Sequence, residues 1–324
     1  MPTRRLVVPS GTALGVAASV GASVLFGVLF LLPPMLAPLG GLEIVAWRVL
    51  ATLPVLVLLF GLTVGLRDVV RVVQRIRRRP ALALVLVADA ALLSVQLWLF
   101  GWAPIAGHGL ETATGYLLLP LVLVLVGVVL HGERLSRLRG AAVAAAAVGV
   151  VAALVLGGAV GVATALVALG YPVCFDLRRR FALDGPGSTL LEQAVLVPVA
   201  LAVLAGAASS GALAATAEHA PVLLLMGVVS GVALWMYLSA SRLLPFGLFG
   251  LLTYVEPVLL VVVSTLLLGE AVEPSDALVY GPIAVALVLL MVEPRLARRR
   301  SEQPTATQPV SHRPPIRTHR RDAP

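Results

Sequence analysis

The chain contains no lysine and only one cysteine, and just 12% of its 324 residues are charged. Each shortage excludes something. A lone Cys174 cannot form a disulfide within one chain and has no metal-ligand partners at suitable spacing, so it reads as a small apolar filler. The charge content is too low to cover a soluble domain of this length. His108, His131 and His219 stand singly, with no zinc spacing. There is no aspartate-rich pair for a metal–diphosphate site and no glycine-rich phosphate loop. ATP-driven transport within the chain is therefore excluded, and neither an enzyme, a cofactor nor a metal site is expected.

What is present is apolar. Hydrophobic residues make up 59% of the chain and the mean hydropathy is +1.01. Apolar stretches of about 20 residues predict an all-α integral membrane protein with ten crossing helices. They cover approximately 10–32, 43–66, 81–103, 110–131, 140–157, 159–177, 189–208, 222–241, 246–268 and 277–293. The basic segment Met1–Gly11 precedes an apolar run longer than a signal-peptide core, so an uncleaved first helix is expected. In 67–79 (RDVVRVVQRIRRR), Val69, Val72, Val73 and Ile76 fall at helical spacing opposite Arg71 and Arg75, which predicts an amphipathic helix on the membrane surface. The basic segment 296–324, rich in Pro, Arg, Ser and Thr, predicts a disordered tail.

All 24 basic residues are arginines. They lie before the first predicted helix, after even-numbered ones, or in the tail, and only Arg48 falls inside a span. Positive charge marks the cytoplasmic side, so both termini are expected there, in a multi-pass protein of the inner or plasma membrane. The net charge of +8 is then a set of topology anchors and lipid-phosphate contacts, with no nucleic acid as partner.

An offset of 137 residues maps Gly132-Glu133 onto Gly269-Glu270, Pro120 onto Pro257 and Trp98 onto Trp235. Arginine-rich RLSRLR follows Glu133, whereas acidic AVEPSDA follows Glu270. The same element therefore ends on opposite sides of the membrane. Two inverted five-helix repeats are expected, over 1–157 and 158–295, as in many secondary transporters.

These residues carry a resemblance. The chain is similar to the EamA-type ten-helix members of the drug/metabolite transporter superfamily, and most similar to the RarD branch. The matching segments are GLEIVAWRVL (41–50), WAPIAGHGLETATGY (102–116), LLLPLVLVLVGVVLHGERLSRL (117–138), LLEQAVLVPVA (190–200) and LLTYVEPVLLVVVSTLLLGE (251–270). The chain departs from the branch at Trp47, where it tends to have His, and at Gln96-Leu97, where Asn-Trp is expected. Phe26-Gly27 stands for Trp-Gly, and Glu256 replaces a small or neutral residue. The resemblance implies a transporter and favours export of a small metabolite or drug-like compound, while the departures leave the substrate open.

A charge inside a span needs a compensating reason. Glu256, about ten residues into the ninth helix and beside Pro257, is either a proton-exchanging group or a neutral acid bonded to a neighbouring helix. Arg48 could snorkel outward, pair with Glu111 or Glu256, or hold an anionic substrate group. Asp89 has the same ambiguity and no partner in sight. Gln96, Trp98, Tyr116, Trp235, Tyr237 and Tyr254 form an aromatic-polar set suited to orienting an amphipathic metabolite. Trp102 reads as an interface anchor. Pro120 and Pro257 are expected to kink their helices, and Glu133 and Glu270 to cap helices rather than touch substrate. Small residues crowd the fifth helix from Gly140 to Gly149, where a neighbour can approach closely. The alternatives left open are proton-coupled export, an uncoupled facilitator or uptake carrier, and a non-transporting scaffold, as monomer or homodimer.

Overall fold

The computed structural model describes residues 10–63, 66–132, 136–156, 161–207, 212–245, 248–249 and 252–301. Every regular element among them is helical. The main helices are α1 (Ser10–Leu31), α2 (Gly41–Thr63), α3 (Arg67–Arg78), α4 (Ala81–Ala106), α5 (Gly109–His131), α6 (Arg137–Leu156), α7 (Val162–Phe181), α8 (Pro186–Ala207), α9 (Ala212–Leu243), α10 (Val255–Val262) and α11 (Ala277–Ser301). Among the described residues 6 helical stretches, those of α1, α2, α4, α5, α8 and α9, are long and apolar enough to cross a bilayer. The protein is an integral membrane protein. Large apolar side chains such as Leu84 and Val129 stand exposed on the outside of the bundle, as lipid-facing residues do.

The fold follows from local chemistry. The amphipathic segment forms α3, with Val72 buried and Arg71 and Arg75 exposed. Gly132 (φ 64°) follows α5 and Gly269 (φ 73°) follows the π-helical turn Val263–Leu267 that extends α10. Both sit in the left-handed region where L side chains are strained, so the glycine of each Gly-Glu pair ends its helix. Glu133, like Arg134, lies outside the described residues, so its expected capping role has no structural counterpart here. Helix α6 packs against α11 through Ala142, Ala146 and Ala153, which meet Val279, Ile283 and Ala286. This is the close approach that the small residues anticipate. The central core joins α1, α2, α4, α5, α7, α9 and α10 through residues such as Phe30, Ile44, Leu99, Val167, Met226 and Leu260.

Three expectations change. The segment 209–221 was expected to be a loop, but α9 already starts at Ala212, because its alanine-rich beginning (ALAATAEHA) has high helix propensity. The last helix runs to Ser301, six residues into the expected tail; the rest of the tail lies outside the described residues. Pro257 does not kink the middle of a continuous ninth helix. A turn at Thr253–Tyr254 precedes α10, and Pro257 stands in the first turn of α10, where its missing N–H would have no partner in any case. Pro120, by contrast, lies inside α5.

The α6–α11 contact is testable. A Cβ on Gly149 would come within 2.7 Å of the Val279 carbonyl oxygen, whereas Gly281 has nothing within 4 Å. Gly149→Val should destabilise the protein by about 1–3 kcal/mol through overpacking. Gly281→Ala should leave the melting temperature in detergent unchanged.

Candidate functional site

Five polar or charged side chains from five helices converge in the interior: Arg48 (α2), Tyr116 (α5), Tyr171 (α7), Tyr237 (α9) and Glu256 (α10). Glu256 lies within electrostatic reach of each of the other four, and Tyr171 within reach of Arg48, Tyr116 and Tyr237. About twelve residues of helix, roughly 18 Å of rise, separate Glu256 from the end at Leu268. As an acidic residue in the first turn of α10, it also meets the partial positive charge of the helix N-terminus.

Arg48 is buried. Its Nε donates to Ser230 Oγ at 3.1 Å, and its guanidinium lies 5.4 Å from the centre of the Phe100 ring. Among the described residues it forms no ion pair, although Glu256 is near enough for their charges to interact. The hydroxyls of Tyr116 and Tyr171 are hydrogen-bonded at 2.8 Å. Tyr237 stands edge-on to Phe249, with ring centres 5.1 Å apart, and to Phe26 at 6.5 Å. A buried cation, a central carboxylate and phenolic hydroxyls framed by aromatic rings can stack and orient an amphipathic molecule.

The other expected site residues lie elsewhere. Asp89 has a partner in the structure: Arg178 Nε donates to Asp89 Oδ2 at 2.7 Å, and Arg178 Nη2 donates to Glu192 Oε2 at 2.6 Å. Both carboxylates are fully buried, and the triad ties α4 to α7 and α8 at the arginine-bearing end of the bundle. Glu111 does not pair with Arg48. Its Oε1 accepts the Ala163 N–H at 2.8 Å at the start of α7, and its Oε2 meets His108 Nδ1 at 2.7 Å. Gln96 is buried and donates to the Leu166 carbonyl of α7 at 2.9 Å. Trp98 stacks on Trp102 (5.0 Å, 16°), which stacks in turn on His108 (5.0 Å, 17°). Trp235 donates to Thr63 at 3.2 Å and packs near Leu56, Phe60 and Leu190, while Tyr254 packs on the α6–α11 cluster.

Glu270 caps a helix, as expected, but the helix is α5: its two oxygens accept the N–H groups of Gly109 (2.7 Å) and Leu110 (2.6 Å). A Cβ on Gly109 would meet this carboxylate at 2.6 Å, so the cap requires glycine there. At the opposite end of the bundle Asp68 of α3 accepts the Gly187 N–H at 2.9 Å in the first turn of α8.

Tyr171 and Arg178 were not anticipated. Arg178 opens an Arg-Arg-Arg run that reads as a charge anchor. The available signal was that Tyr171, Cys174 and Arg178 fall at i, i+3 and i+7, on one helix face.

The comparisons with known proteins agree with this architecture. No family model matches the chain. A chloramphenicol-sensitive protein RarD from Pseudomonas aeruginosa is 41% identical over 276 residues, covering 85% of this chain and 92% of that protein. An uncharacterized transporter from Pasteurella multocida is 35% identical over 88% of this chain and 98% of its own length. A protein RarD from Streptomyces exfoliatus is 29% identical over 92% of this chain. One solved crystal structure covers 90% of this chain and 99% of its own, with a TM-score of 0.53 at 20% identity, a likeness of fold alone. Similarity of this extent defines the class: a multi-pass membrane transporter. Within it, the chain belongs to the RarD-type branch of the EamA-like drug/metabolite transporters.

The triad and the cap should differ in cost. Arg178→Gln leaves two buried carboxylates without their cation and should cost about 3–5 kcal/mol. Glu270→Ala removes one cap and should cost about 1 kcal/mol. Thermal unfolding of both variants in detergent orders the two effects.

Proposed function

We propose that the protein exports a small amphipathic metabolite or drug-like compound by alternating access, with the substrate held among Arg48, Tyr116, Tyr171, Tyr237 and Glu256. The observation that carries this reading is the buried Arg48 beside Glu256, with no ion pair between them. A buried cation without a bonded counter-ion is poised to receive an anionic or strongly polar group. The chloramphenicol-sensitive protein RarD among the relatives suggests drug-like compounds as first candidates.

Ten crossing helices in two inverted halves, with both termini in the cytoplasm, supply the moving parts. The helix contacts support this arrangement because they come in matched sets. Helix α1 packs on α9 as α4 packs on α7, and α2 on α9 as α4 on α8. Helix α5 packs on α7 as α1 packs on α10, while α2–α8, α5–α10 and α6–α11 are their own mates. Rocking one half against the other would break the Asp89–Arg178–Glu192 contact on the cytoplasmic side in one phase of the cycle and the Glu270 and Glu111 caps on the external side in the other.

Proton exchange at Glu256 is the favoured driving force, because Asp89 is already committed to Arg178 whereas Glu256 forms no ion pair among the described residues. The runner-up is an uncoupled facilitator of the same fold. Proteoliposome flux separates them: an imposed pH gradient should accelerate wild-type flux, and Glu256→Gln should abolish that acceleration. Flux indifferent to both would leave the facilitator, and no flux of any amphipathic compound would sink the transport site itself.

A further inference from the structure

We propose that the cavity between α3 and the end of α7 binds the headgroup of an anionic phospholipid. This cavity, of about 390 Å³, is lined by Arg75, Arg78, Arg79 and Arg180, with Leu82 and Phe181 as its apolar wall. Two of the four guanidiniums are engaged by protein groups. Arg75 donates to the carbonyls of Ala182 (2.8 Å) and Phe181 (2.7 Å) at the end of α7, and Arg180 pairs with Asp176 at 2.7 Å. Arg78 and Arg79 have no side-chain acceptor among the described residues. Four positive charges around one cavity, with one carboxylate in contact, repel one another unless an anion enters. Guanidinium forks match the paired oxygens of a phosphate.

Lipid, rather than free phosphate, is favoured by what surrounds the cavity. Helix α3 is amphipathic, with Val69, Val72, Val73 and Ile76 on its apolar side and arginines on the other, the pattern of a helix lying at the membrane surface. Leu82 belongs to the first turn of α4. Beyond it Leu84 on α4 and Leu169 and Val173 on α7 are exposed apolar side chains along which acyl chains can descend. A headgroup seated here would touch both Arg75, which grips the end of α7, and Arg180, two residues beyond the Arg178 triad. It would therefore brace the contact of α3 and α4 with α7. Any effect on transport rests on the alternating-access reading above, but binding does not.

The test titrates the full-length protein in neutral detergent with cardiolipin, phosphatidylglycerol, phosphatidylcholine or inorganic phosphate, followed by native mass spectrometry and thermal shift. Cardiolipin and phosphatidylglycerol should bind and raise the melting temperature, while phosphatidylcholine and millimolar phosphate should not. Removing an arginine should weaken binding roughly fivefold. The Arg78→Gln/Arg79→Gln double variant should therefore bind cardiolipin roughly 25-fold more weakly. Both positions are exposed, so the variant should melt like wild type without lipid. Arg242→Gln, an exposed arginine outside the cavity, should bind normally. The proposal is overturned if the double variant binds as wild type does, if Arg242→Gln weakens binding equally, or if phosphate competes the lipid away.

Discussion

The N–H groups of a helix's first turn have no partner within the helix, and where that turn is packed against protein a side chain must accept them. Much of this structure is arranged around that constraint. Glu270 takes the start of α5, Glu111 the start of α7 and Asp68 the start of α8. Each carboxylate meets both the unpaired donors and the positive end of the helix dipole, and each reaches across from the other half of the chain. Capping and assembly are therefore one set of contacts. Each such cap is light, about 1 kcal/mol, so no single one holds the bundle together.

The Asp89–Arg178–Glu192 triad is heavier. Two fully buried carboxylates on α4 and α8 converge on one guanidinium from α7, so three helices are joined by charges that are costly to leave unpaired. The grip of Arg75 on the end of α7 adds two further bonds at the same arginine-bearing end of the bundle.

The apolar helices of a membrane protein and the amphipathic α3 were legible in the sequence because apolar run length and helical periodicity leave direct marks on it. The start of α9 was not, since an alanine-rich stretch bearing a single acid, Glu218, reads equally well as a loop or as a helix that begins ahead of the apolar run. The true place of Pro257 was hidden for a related reason: a proline amid apolar residues looks the same in a helix middle as in a first turn. In the site, Arg48, Tyr116, Tyr237 and Glu256 could be singled out because polarity inside an apolar run is conspicuous. Tyr171 and Arg178 could not, because one carries little polarity and the other lies in a run of arginines that topology already accounts for. Partnership is a tertiary fact. Asp89 as a lone buried acid was visible, but its ion pair required the fold.

The segments that end in the two Gly-Glu pairs match at one end and differ at the other. Gly132 and Gly269 share the same left-handed conformation, one after α5 and the other after the π-helical turn that extends α10. Upstream the two segments differ, since Leu119 precedes Pro120 within a continuous α5, whereas Glu256 precedes Pro257 in the first turn of α10. The chain turn ahead of α10 lets a carboxylate sit at a helix N-terminus, where the dipole offsets part of the cost of burying it. In an unbroken helix the same residue would meet the cost without that help. The turn ahead of α10 is thus what lets a carboxylate stand near Arg48 and the tyrosines at less cost than the same residue would meet within an unbroken helix such as α5.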